Sequence, residues 1–153
     1  MIALITGVFD NLALLIAKRH HIKLDKTNIS LSKDSGKEFL EKVKTINPHL
    51  KQHIGTFRNF INLVYAFREK IIHQEGLNQV ISPIVPSWSS FIKIDPEIWA
   101  YIKRCGDGKS EYKYISKWGV LKRESDIMLD PYFFLSHALS NLIMFTNEYL
   151  QEL

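Results

Sequence analysis

Arg68, Glu69 and His73 are the residues of this chain whose types and spacing most readily suggest chemistry. Glu69 and His73 are four apart, so on a helix they share a face, and the carboxylate can hold the imidazole in one tautomer and raise its proton affinity. At about 100° per residue, Arg58, Asn62, Tyr65, Glu69 and His73 form one polar stripe opposite Phe57, Phe60, Val64, Phe67 and Ile71. Arg68 falls outside the stripe, on the apolar margin between Phe57 and Val64 on one side and Ile61 and Ile72 on the other. A half-buried guanidinium in that position needs an anion. Arg68 and His73 diverge by about 140° on a straight helix. They can serve one centre if the guanidinium reaches around, if the helix loosens near Gly76, or if a second copy of the helix is brought alongside by a two-fold axis.

Other candidates have plainer readings. His49 and His53 have the i, i+4 spacing of a metal pair, but no third ligand stands near them in sequence, so they read as exposed helix histidines and no metal or other cofactor is expected. His137 lies among Phe134, Ala138 and Leu142 and reads as a packed, hydrogen-bonded residue, and His20-His21 sits where a first helix ends. Gly106 to Ser110 is a turn and not a phosphate loop, because Lys103 stands where the first glycine would have to be. From Tyr101 to Arg123 there are seven Lys/Arg against two Asp/Glu, including Lys103, Arg104, Lys109, Lys113 and Lys117, with Tyr112, Tyr114 and Trp118 among them. Basic groups interleaved with aromatics suit single-stranded RNA through phosphate neutralisation and base stacking; the same pattern fits a solvated hairpin whose aromatics pack on the rest of the domain.

The elements that must hold these residues follow from periodicity and caps. Ile2, Ile5, Phe9, Leu12 and Ile16 predict a first helix to about His20, interrupted on its apolar surface by Asp10 and Asn11. Ser32 can cap a second helix bearing Phe39, Val43 and Ile46. Asn47-Pro48 opens a third, whose stripe of Leu50, Ile54, Phe57, Ile61, Val64 and Phe67 runs on towards Gly76, about eight turns in all. Pro83 and Pro86 break the pattern, Trp88 to Ile94 alternates like a strand, and Asp95-Pro96 starts a short helix ending near Cys105. Tyr112 to Leu129 suggests a hairpin with its break at Arg123-Glu124-Ser125, and Asp130-Pro131 opens a last helix through Phe134, Ala138, Leu142, Phe145 and Tyr149.

Composition agrees with a single domain over residues 1–153: 46% hydrophobic, 24% charged, no repeat and no Pro/Gly/Ser-rich linker. The lone Cys105 excludes an internal disulfide and points to a reducing, cytoplasmic setting. Ile2 to Ala17 is the most apolar run and is too short, and too polar at Asp10-Asn11, to cross a membrane. A net charge of +4 permits a polyanionic partner without requiring one.

The string Phe67-Arg68-Glu69-Lys70-Ile71-Ile72-His73, near the end of a long third helix, resembles the Arg-x4-His motif of HEPN domains. The resemblance implies a mainly α fold, an up-and-down bundle of four or five helices that usually dimerises, here with a β-containing insertion at about 80–129 before the last helix. Many members of that family are metal-independent RNases of toxin–antitoxin and other conflict systems; others only bind nucleotides or partners. Where many catalytic members carry Asn, Asp or His after the arginine, this chain has Glu69. Carried onto this sequence, the resemblance implies an endoribonuclease in which His73 exchanges a proton with the ribose 2′-hydroxyl, Glu69 orients it and Arg68 stabilises phosphate charge. The expected partners are RNA, a second copy and an antitoxin or other protein. The alternative is a non-catalytic dimeric module that binds nucleotide, RNA or protein.

Overall fold

The computed structural model describes residues 1–32, 35–73, 79–81, 90–105, 118–123 and 126–152. Among them are six α-helices and four strands: α1 (Ile2–Arg19), α2 (Lys37–Ile46), α3 (Pro48–Thr56), α4 (Arg58–His73), β1 (Gln79–Ile81), β2 (Ser90–Ile94), α5 (Pro96–Arg104), β3 (Val120–Arg123), β4 (Asp126–Leu129) and α6 (Pro131–Glu152). The fold is mainly helical, with the sheet inserted before the last helix, as the sequence predicts.

Three helices begin where a side chain and a proline specify it. Asn47, Asp95 and Asp130 each accept a bond from a backbone amide of the first turn, at 3.0 Å from Leu50, 2.9 Å from Ile98 and 2.9 Å from Tyr132. The expected Ser32 cap is not used. The chain makes a turn in which the Gly36 amide donates to the Ser32 carbonyl, and α2 starts at Lys37 with Gly36 as its N-cap. A Cβ on Gly36 would overlap the Ser30 carbonyl, so this close approach requires glycine. α1 ends with His21 at φ 52°, and the Ile22 amide reaches back to the Ala17 carbonyl at 2.8 Å.

The long third helix of the sequence reading is two helices. The break falls at Phe57, after the weak helix formers Gly55 and Thr56, and it changes what each part packs against. α3 lies on α2 and α6, whereas α4 lies on α1 and α5. The apolar stripe survives the break, with Ile54, Phe57, Ile61, Val64 and Phe67 all buried. Asn59 donates to the Arg104 carbonyl at one end of α4, and Lys70 pairs with Asp95 at the other, so α4 and α5 run antiparallel.

The strands form one antiparallel sheet in the order β1-β2-β4-β3, with Ile92 opposite Leu129 and Leu129 opposite Val120. The expected hairpin is the β3–β4 pair; β1 and the joining of β2 to β4 were not foreseen. The sheet is fastened to the helices by Trp118, which is buried against Phe134, His137 and Phe60. Phe9, Phe60, Phe145, Phe57 and Tyr149 continue the same core through edge-on and tilted ring contacts between α1, α4 and α6.

Candidate functional site

The polar stripe of α4 faces a cleft of about 740 Å³. Its walls are α1 (Asp10, Leu14), the segment after α1 (Lys26, Thr27, Ile29, Ser30, Ser32, Ser35), α4 (Asn62, Tyr65, Ala66, Arg68, Glu69) and α5 (Glu97, Tyr101). Arg68 therefore joins the stripe from which the helical wheel separates it, because its long side chain reaches from the apolar margin into the same opening. The anion it needs belongs to its own chain. Asp10 Oδ2 lies 3.7 Å from Arg68 Nη1, and both side chains are about two-fifths exposed, at 41% and 42%.

Asp10 also accepts a 2.5 Å hydrogen bond from the Tyr65 hydroxyl. Burial raises the Tyr65 phenol well above its ordinary pKa, and the bond to Asp10 adds to the rise, so Tyr65 remains a donor throughout the physiological range. Asp10 thus holds two α4 side chains, Tyr65 and Arg68, one turn apart. Sequence reading missed it as a site residue. The signal was present in the polar Asp10-Asn11 pair, which interrupts an otherwise apolar helix.

Glu69 is exposed at the cleft, one turn before His73. His73 is the last residue of α4; the direction of its imidazole, and so the expected Glu69–His73 pairing, lies outside the described residues. Lys70 bridges Asp95 (2.9 Å) and Glu97 (3.4 Å), fixing the motif-bearing end of α4 to the start of α5. Burial would raise the Asp95 carboxyl, but the Ile98 amide and the Lys70 ammonium outweigh it and hold the pKa below its ordinary value.

Of the basic residues expected to meet RNA, Lys103 and Arg104 are exposed at the end of α5, while Lys109, Lys113 and Lys117 lie outside the described residues. Lys103 Nζ sits 5.5 Å from the Trp99 ring, and the Arg104 guanidinium 5.4 Å from that of Tyr101, which lines the cleft. Trp118 corrects the expectation of a stacking platform. It is 2% exposed and packed against Phe134, so it cannot receive a base, and the hairpin reading in which aromatics pack inward holds for this residue. Tyr112 and Tyr114 lie outside the described residues.

His53 is not an exposed histidine. Its ring stacks on Phe145 at 5.0 Å, Nε2 meets the Phe145 carbonyl at 3.0 Å, and Nδ1 lies 3.2 Å from Glu148. His49 is exposed, and among the described residues no group of three His, Cys, Asp or Glu side chains could hold a metal. No described helix is long and apolar enough to cross a membrane. No family model, no curated protein and no solved structure matches this chain.

Proposed function

We propose that this chain is a HEPN-like, metal-independent endoribonuclease of a toxin–antitoxin or other defence system, acting as a homodimer. The observation that carries the reading is the half-exposed Arg68 guanidinium, opening into a cleft beside Glu69 on the helix that ends at His73. In the proposed reaction His73 takes the proton of a ribose 2′-hydroxyl, and the freed oxygen attacks the adjacent phosphorus. The 5′-oxygen leaves with the proton that the imidazolium so formed gives back, and the product ends in a 2′,3′-cyclic phosphate. Glu69 orients the imidazole, and Arg68 stabilises the charge that develops on the phosphate. Exposed Lys103 and Arg104 would steer the strand towards the cleft.

One observation favours the second reading, a non-catalytic module. The cleft wall mixes Asp10, Glu69 and Glu97 with Lys26 and Arg68, a lining better matched to one phosphate beside Tyr65 or Tyr101 than to a long polyanion. A mononucleotide then replaces the RNA strand.

Cleavage of a panel of labelled RNAs separates the two. Arg68→Ala and His73→Ala should each lose about 10² to 10⁴-fold, and Glu69→Gln less, because it removes orientation and not the proton carrier. Cleavage should persist in EDTA. Wild-type protein that leaves every RNA intact, or a His73→Ala variant that cleaves at the wild-type rate, overturns the enzyme.

A further inference from the structure

Positive charge is gathered between the end of α1 and the start of α4. Residues 18–58 hold ten Lys/Arg against four Asp/Glu, a net of +6 that exceeds the +4 of the whole chain, so the remainder is net negative. Within that span a groove of about 400 Å³ lies between the end of α1 and α2. His20, His21 and Lys23 line it from the α1 end, and Lys42, Thr45 and Ile46 from α2. No Asp or Glu lines it, whereas the wall of the cleft beside Arg68 includes Asp10, Glu69 and Glu97. Glu38 pairs with Lys42 at 3.5 Å, an exposed i, i+4 contact that an arriving phosphate can replace at little cost.

Local structure shapes the groove. His21 takes φ 52°, a left-handed turn that folds the chain back so that the Ile22 amide meets the Ala17 carbonyl. A non-glycine residue held there is strained, and such strain collects where a site must be shaped. His20 Nε2 is shielded from water without a hydrogen-bond partner among the described residues, an unmet group that a phosphate oxygen, admitted by a turn of the ring, would satisfy. The negative poles of α1 and α2 end near the groove, and Lys18, Arg19 and Lys44 in their last turns offset them.

The groove and the cleft share a border. Lys23 lines the first and Lys26 the second, and three residues of chain hold their Cα atoms at most about 11 Å apart. Asp25 lies between them in sequence and lines neither opening. We infer that the groove is a second phosphate subsite, taking the backbone of a single-stranded RNA whose neighbouring phosphate is held at Arg68. Lys23 and Lys42 neutralise the phosphate, and exposed Ile46 meets the sugar or base beside it. The groove thus supplies the unmixed positive surface that a polyanion needs and the cleft wall lacks. This inference rests on RNA as the ligand of the cleft, not on its cleavage.

Fluorescence anisotropy with a labelled single-stranded RNA tests it, in a His73→Ala background that leaves the strand whole. Lys23→Gln and Lys42→Gln should each weaken binding about fivefold at low salt and lower the log–log salt slope by about 0.7, the increment of one phosphate contact. Both positions are exposed, and circular dichroism and melting should match the parent. In amide NMR spectra the RNA should move the resonances of His20, His21 and Lys42 together with that of Arg68. A double variant that binds RNA as tightly as its parent overturns the inference, and Arg68→Ala in the same assay then shows whether the cleft reading stands alone. Groove resonances that move with poly-L-glutamate and not with RNA also overturn it and mark a site for an acidic peptide. Groove-dependent binding by a wild-type protein that cleaves no RNA upholds the inference and overturns only the enzyme. A wild-type protein that binds no RNA at about 100 µM, the weak end of non-specific affinity, overturns both.

Discussion

Replacing Asp10 with Asn should tighten RNA binding while loosening the fold. The carboxylate stands 3.7 Å from Arg68 and competes with any phosphate for that guanidinium. Two unit charges at this distance attract by about 1 kcal/mol in water, and the exposure of both partners keeps the value at that end of the range. Removing the charge should therefore raise affinity by at most about fivefold and steepen the log–log salt slope by at most about 0.7, the increment for one more phosphate contact on a single strand. Stability should move the other way. The Tyr65 hydroxyl keeps an acceptor in the Asn side-chain oxygen, but a bond to a charged group becomes a neutral one, a loss of about 1 kcal/mol and about 2–4 °C in Tm. Fluorescence anisotropy with a labelled single-stranded RNA, in a His73→Ala background to suppress cleavage, reads the first effect, and calorimetry reads the second. An Asp10→Asn protein that is folded yet binds RNA no better than its parent would refute the idea that Asp10 occupies a phosphate site.

Two further outcomes follow from local geometry. Gly119 has φ 68°, and a Cβ there would stand 2.7 Å from Phe133 Cβ, so Gly119→Ala should cost about 2–4 kcal/mol from backbone strain and crowding; a melting temperature within about 4 °C of wild type, the smallest shift this cost allows, would contradict it. Burial pushes the Cys105 thiol up from its ordinary 9.0 to about 12, so at pH 8.5 it should react with iodoacetamide far more slowly than a free thiol. Because the folded pKa is the higher one, the stability this thiol contributes is full below pH 9 and is lost as pH rises towards about 12, which alkaline unfolding of Cys105→Ser against wild type would reveal.

Much of the fold is written in local signals. Asn47-Pro48, Asp95-Pro96 and Asp130-Pro131 mark helix starts because cap and proline act within one turn, and each is where the sequence places it. Ser32 misled because a cap signal says nothing of a backbone approach elsewhere: what places the start of α2 is the Ser30 carbonyl against Gly36. The break at Phe57 was hidden because the apolar stripe passes through it unchanged. The pairing of β2 with β4 joins segments more than thirty residues apart, and strand alternation carries no record of its partner. Arg68 was legible as an arginine in want of an anion. That the anion is Asp10, 58 positions earlier, depends on how α1 crosses α4, which neither helix states alone.

The Tyr149–Leu12 hydrogen bond joins residues 137 apart, whereas Asp10 and Tyr65 are separated by 55. Chain-closure entropy makes the longer loop costlier by about 0.8 kcal/mol. Synthesis widens that gap in time: at about 5–20 residues per second, Tyr149 is made about 7–27 s after Leu12. Once α4 has been made, α1 can find it but not yet α6, and the flank that will meet Phe145 and Tyr149 stays bare. A nascent chain arrested between α4 and α6 should therefore recruit ribosome-bound chaperone through α1, and release it once α6 has emerged.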